Sequence, residues 1–133
     1  MNILIIGGSE FLGRYLTEAS LARRHAVTLF NRGKSNADLF PNVEKLRGDR
    51  NENLDALAGR RWDAVIDTCG YTSQAVRATA GLLSNAAQHY TFISSMSVYA
   101  DFDTPHQNES APVHELAAGQ AAECHRRTRQ RER

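Results

Sequence analysis

Ile3-Leu4-Ile5-Ile6-Gly7-Gly8-Ser9-Glu10-Phe11-Leu12-Gly13-Arg14 passes from a run of four aliphatic residues, through two glycines, into a segment with helical periodicity. That order reads as strand, tight turn, helix. A continuous apolar run marks a parallel strand covered on both faces. Glycines let the backbone turn sharply and approach a ligand with no side chain between. The helix that follows offers free N–H groups and the positive end of its dipole to an anion above the turn. The stretch therefore reads as the phosphate-binding turn of a dinucleotide-binding fold. Gly7 and Gly13 fit a G-x-x-G-x-x-G spacing, with Glu10 in place of the middle glycine. Its carboxylate is expected to turn away to solvent, because it would otherwise oppose a pyrophosphate.

The chain of 133 residues suits one α/β domain. A content of 41% hydrophobic and 23% charged residues excludes general disorder, and a net charge of +1 gives no global pull towards nucleic acid or membrane. The opening apolar run is too short to span a membrane, and no basic segment precedes it to form a signal peptide. The expected compartment is the cytoplasm, with Cys69 and Cys124 as reduced thiols without metal-ligand spacing.

Along the chain, strands are expected at 2–6, 26–30 and 42–47, then one that with its exit fills 62–71, and one at 89–93, with helices over about 11–24, 53–58 and 73–87. In the first helix, Phe11, Leu12, Tyr15, Leu16 and Ala19 form the stripe expected to face the sheet. Val76, Thr79 or Ala80, and Leu83 do so in the last. Strands alternating with helices predict a Rossmann-like, doubly wound parallel sheet of about five strands in the order 3-2-1-4-5, with its switch point above Gly7. After the second strand stands Asn31-Arg32-Gly33-Lys34. No acid is present there to bind a ribose 2′-hydroxyl, and Arg32 and Lys34 favour the 2′-phosphate of NADP over NAD. Asp49, at the end of the third strand, reads either as a contact for an adenine amino group or as a cap of the next helix. Asp67, inside an apolar run, either bonds backbone groups or marks a strand end. Cys69 has no basic neighbour in sequence that would make it a nucleophile.

Three segments together resemble the extended short-chain dehydrogenase/reductase superfamily, the NAD-dependent epimerase/dehydratase group, and most of all its atypical branch, which includes chloroplast stem-loop-binding relatives. Ile6–Gly13 is similar to the family's G-G-T-G-F-[IL]-G turn. Arg47-Gly48-Asp49 resembles its G-D adenine contact, and Phe92–Tyr99 its [IV]-S-S-x-x-V-Y segment. The likeness covers about residues 1–112. It implies that Gly7, Gly8, Ser9, Glu10, Phe11, Leu12 and Gly13 line the pyrophosphate. Asn31, Arg32 and Lys34 would meet the ribose or its phosphate, and Asp49 and Arg50 would edge the adenine. Thr68, Cys69, Gly70 and Ser94 would pass beside the cofactor. Ser95 aligns with the catalytic Ser/Thr that bonds the reacting oxygen of the substrate.

The family's chemistry also needs a Tyr-x-x-x-Lys pair about two dozen residues beyond that serine, because a tyrosine near pKa 10 requires a cation to act as acid and base at neutral pH. This chain has no Tyr after Tyr99 and no Lys after Lys45. Ala117–Cys124 stands at the expected place, and Arg126, Arg127, Arg129, Arg131 and Arg133 crowd an irregular tail at 113–133. The chain thus reads as a truncated or frame-shifted portion of a longer parent, binding cofactor with little or no turnover. The alternative is a short protein with a disordered basic end. Two other functions compete: RNA stem-loop binding, with the arginines neutralising phosphates, and a non-catalytic NADP-sensing module. Apolar surface left uncovered by a missing half predicts homodimers or self-association.

Overall fold

The computed structural model describes residues 1–103 and 105–115. Five strands, β1 (Asn2–Ile6), β2 (Ala26–Asn31), β3 (Glu44–Arg47), β4 (Trp62–Asp67) and β5 (Ala87–Phe92), form one parallel sheet in the order β3-β2-β1-β4-β5. The order is the one expected from sequence. Helix α1 (Phe11–Ala22) connects β1 to β2, and α2 (Ser73–Leu83) connects β4 to β5.

Side-chain alternation along β1 builds both cores. Leu4 and Ile6 join Phe30, Leu57, Trp62, Val65 and Leu83 on one face, while Ile3 and Ile5 join Val27, Leu29 and Val43 on the other. Leu4, Ile5 and Ile6 are essentially inaccessible to solvent, and each contributes about 1.5–3 kcal/mol of burial free energy. Leu83 of α2 packs on the first face; Leu16 and Leu21 of α1 pack on the second. The helices therefore cover opposite faces, which is why β1 could be aliphatic at every position from Ile3 to Ile6.

The inner face of α1 differs from the expected stripe. Gly13, Thr17 and Ser20 are buried, whereas Phe11 is 87% and Tyr15 65% exposed and Leu12 is also exposed. The reason is proximity. A Cβ on Gly13 would stand 2.7 Å from the Gly8 nitrogen and 2.9 Å from its Cα. A helix that passes this close to the turn admits only small side chains on that face. The buried hydroxyls are satisfied locally: Thr17 Oγ1 donates to the Gly13 carbonyl at 2.8 Å, and Ser20 Oγ to that of Leu16 at 2.7 Å.

Other differences lie at element ends. α1 stops at Ala22, β3 starts at Glu44, and the expected helix near 53–58 is a single 3₁₀ turn, Asp55–Leu57. α2 begins at a Thr72 cap, whose Oγ1 accepts from the Ala75 N–H at 3.2 Å. It ends at Leu83 rather than Ala87, because Ala86 already bonds Trp62 N–H and leads into β5. A 3₁₀ turn, Met96–Val98, follows β5, and Tyr99 pairs with Val113 in an isolated antiparallel bridge. The arginine cluster at 126–133, Cys124 and the Ala117–Cys124 segment lie outside the described residues. Among the described residues, no helix is long and apolar enough to cross a membrane, and no group of three or more His, Cys, Asp or Glu could hold a metal ion.

Candidate nucleotide cleft

Above the carboxyl ends of β1, β2 and β4 opens a cleft of about 410 Å³. This is the end of a doubly wound sheet where ligands collect. Gly7 through Gly13 form one wall, and Asn31 through Ser35 a second. Gly48, Asp49, Arg50 and Asn51 close a third side, with Thr68, Cys69 and Tyr71 on the fourth.

The glycine turn needs its glycines. Gly7 and Gly8 adopt φ of +106° and +83°, which side chains disfavour. The turn is braced from three directions. Gly7 N–H donates to the Phe30 carbonyl at 2.9 Å, Thr68 Oγ1 to the Ile6 carbonyl at 2.9 Å, and Asn31 Nδ2 to the Gly7 carbonyl at 3.1 Å. Glu10 takes the N-cap position of α1 without a side-chain bond to the helix and is exposed, as expected for a carboxylate turned to solvent. The first-turn N–H groups of α1 therefore have no side-chain cap and remain available to an anion.

Arg32 and Lys34 are both exposed at the β2 exit. Arg32 Nη1 lies 3.8 Å from Asp49 Oδ2, a loose pair. Asp49 Oδ1 closes a local turn, accepting from Asn51 N–H at 3.0 Å and Asn51 Nδ2 at 3.1 Å. These bonds, together with Arg32 and Lys34, hold its carboxyl below the usual range. The same carboxylate lines the cleft.

Arg50 lines the cleft, while its guanidinium is bound to a buried carboxylate. It is only 8% exposed. Its Nη1 and Nη2 donate to Asp67 Oδ1 and Oδ2 at 2.6 and 2.8 Å, and Nη2 also reaches the Ala75 carbonyl and Thr79 Oγ1. Asp67, fully buried at the end of β4, further accepts the Tyr90 hydroxyl at 2.7 Å and the Cys69 N–H at 3.2 Å. The carboxylate is thus both a strand end and a backbone acceptor. Burial and the bond to Asp67 push the Tyr90 phenol far above its ordinary value, so it stays a proton donor at any physiological pH. Burial also raises the Cys69 thiol, which argues against a thiolate nucleophile.

Three of the candidates lie away from the cleft lining. Gly70 sits against Val76 and the Phe92 ring. Ser94 is exposed and does not line the cleft. Ser95 caps the 3₁₀ turn after β5, its Oγ accepting from Ser97 N–H at 3.2 Å and lying 2.8 Å from Ser97 Oγ. Conversely, Gly33, Ser35, Asn51 and Tyr71 line the cleft without having been singled out. Asn31 Oδ1 accepts the Gly33 N–H at 2.9 Å, and an Asn two residues before a Gly is a legible turn signal. Asn36 Nδ2, which ties the β2–β3 loop to the Ser9 carbonyl at 2.8 Å, carried no such signal.

No protein-family model matches the chain. In sequence it is 32% identical over 127 residues to the chloroplast stem-loop binding protein of 41 kDa b of Arabidopsis thaliana, covering 83% of this chain and 33% of that protein. In structure it resembles a UDP-galactose 4-epimerase, with a TM-score of 0.74 and 20% identity over 86% of this chain and 45% of the other. It also resembles a UDP-glucose 4-epimerase of Stenotrophomonas maltophila solved with bound NAD and formylated UDP-arabinopyranose, with a TM-score of 0.70 and 18% identity over 87% of this chain and 43% of the other. The chain therefore spans about a third of the sequence relative and less than half of these structures. By this likeness, the chain shares the fold of these epimerases over the part that forms the five-stranded parallel sheet.

Proposed function

We propose that this chain is the dinucleotide-binding portion of an epimerase/dehydratase- or reductase-like protein, taking NADP ahead of NAD and turning over little or nothing by itself. The observation that carries the reading is the uncapped N-terminus of α1, held against Gly8 in the glycine turn that lines the cleft. The pyrophosphate would sit on the first-turn N–H groups, with its negative charge complementing the helix dipole. Arg32 and Lys34 support a 2′-phosphate at the β2 exit, where an acid suited to a free ribose is absent. Asp49 would accept from the adenine amino group while its other oxygen keeps the local turn. Thr68 and Cys69 would flank the ribose.

In a complete parent, hydride transfer to and from the nicotinamide would be the chemistry, with Ser95 polarising a substrate oxygen. This chain lacks the Tyr/Lys pair that would exchange the proton. A non-catalytic NADP-sensing role is compatible with the same site. Calorimetric titration with NADP and NAD tests the reading: saturable binding with NADP tighter is expected, and no heat from either would overturn it.

A second reading is RNA binding, favoured by the sequence likeness to a protein named for stem-loop binding and by the arginines at 126–133. It predicts stem-loop affinity that falls steeply with salt and vanishes when those residues are removed. Self-association is also proposed, from exposed Phe92 at the end of β5 and exposed Met96, Val98, Phe102 and Val113 after it. Light scattering that finds a monomer at high concentration would contradict it.

A further inference from the structure

We propose that Arg50, Asp67 and Tyr90 form a positioning strut that holds two walls of the cleft in register, and so sets dinucleotide affinity without touching the dinucleotide. The inference rests on the dinucleotide reading above. One wall is the turn at Asp49, Arg50 and Asn51; the other is the β4 exit at Thr68 and Cys69. Between them the sheet supplies no direct link, because β3 and β4 lie on opposite sides of β2 and β1. The Arg50 side chain spans that gap. It leaves the Asp49 turn and grips Asp67 with both terminal nitrogens, while Asp67 holds the N–H of Cys69, the residue that forms the other wall. Arg50 Nη1 also approaches Cys69 Sγ at 3.9 Å. Bonds from Nη2 to Ala75 and Thr79 add α2, and the Tyr90 hydroxyl adds β5.

The composition of the strut favours positioning over stability. A buried ion pair gains little over well-packed apolar residues of similar volume, and here the guanidinium Nε is buried with no hydrogen-bond partner among the described residues, a standing cost. What the pair does provide is direction. A bidentate guanidinium–carboxylate contact fixes distance and plane together, and the remaining bonds to Asp67 leave it no alternative orientation. The Asp49 turn, through the backbone of Arg50, and Cys69 on the other wall are therefore both tied to the Asp67 carboxylate.

Two variants separate this role from folding. Tyr90→Phe removes one hydroxyl and keeps the ring that packs on the core. Arg50→Met with Asp67→Leu replaces the whole pair by apolar volume. Each is measured by NADP calorimetry, thermal melting and amide hydrogen exchange without nucleotide. The expected result is faster exchange confined to the amides of Asn51, Glu52, Asn53 and Cys69, with β1 unchanged. NADP affinity should fall several-fold in Tyr90→Phe and on the order of tenfold or more in the double variant, at near-native melting temperature. Should the double variant fail to fold, Tyr90→Phe carries the test alone. Native affinity, or native exchange at those four amides, in a folded variant would overturn the strut. If the native chain binds neither dinucleotide, the dinucleotide reading falls and the strut is judged on exchange alone, where unchanged protection overturns it.

Discussion

Replacing Gly13 by alanine should damage the cleft more than the fold. The added Cβ would meet the nitrogen and Cα of Gly8 at 2.7 and 2.9 Å, and Thr68 Oγ1 at 3.2 Å. The first two are backbone atoms in a turn braced by Phe30 and Asn31, so they cannot swing aside. Restoring ordinary contact at 3.4 Å requires α1 to retreat by about 0.7 Å. Overpacking of this kind costs about 1–3 kcal/mol, and alanine returns about 1 kcal/mol of helix propensity. A net loss of roughly 1 kcal/mol is expected in urea unfolding. The retreat also carries the first-turn N–H groups away from the anion position. Losing one charge-assisted hydrogen bond, about 1.5–3 kcal/mol, weakens NADP tenfold or more. Gly81→Ala is the control. It lies in α2 with nothing within 4 Å of the new Cβ, and it should stabilise by about 0.5–1 kcal/mol and leave binding alone. If Gly13→Ala behaves like Gly81→Ala in both assays, the close passage of α1 over Gly8 is wrong.

Glu10→Gln should tighten NADP by about threefold at low salt, since one exposed charge near a pyrophosphate is worth about 0.5–1 kcal/mol; calorimetry at two salt concentrations checks it, and weaker binding would show that the carboxylate assists. Arg32→Ser combined with Lys34→Ser should abolish the preference for NADP while sparing NAD; an unchanged ratio in side-by-side titrations would remove both residues from the 2′-phosphate. Tyr90 has a raised pKa in the folded chain, so the stability it contributes is full below the unfolded value near 10 and is lost as pH climbs through and beyond it. Urea unfolding from pH 8 to 11 should therefore fall more steeply for the native chain than for Tyr90→Phe, and parallel curves would contradict the buried Tyr90–Asp67 bond.

The sheet was legible because its signals are local. Four aliphatic residues before Gly7-Gly8, and repeated strand-then-helix patterns, specify a parallel order with little help from tertiary contacts. The cleft wall at Gly7–Gly13 was legible for the same reason: turn chemistry is written in adjacent residues. The inner face of α1 was not, because hydrophobic periodicity assumes that the buried side is the apolar side. There the distance to Gly8 selects Gly13 and Thr17 for size and leaves Phe11 and Tyr15 outside. The inward course of the Arg50 side chain was hidden on similar grounds. Its neighbour Asp49 faces the cleft, but the partner that draws Arg50 inward is Asp67, separated from it in sequence and brought near only by the sheet order. Asp67 itself showed as an acid in an apolar run, a sign of a buried partner, without saying which cation answers it. Ser95 matched a family motif, yet its bonds here are to its own turn.

The central claim is that a dinucleotide occupies the cleft over Gly7–Gly13. An amide-resolved NMR titration with NADP tests it most directly. The account predicts saturable shifts at Gly7, Gly8, Leu12 and Gly13, at Arg32 to Lys34, and at Asp49 and Thr68, with the amino ends of the strands unmoved. Shifts that fail to saturate, or that appear only away from these residues, would contradict it.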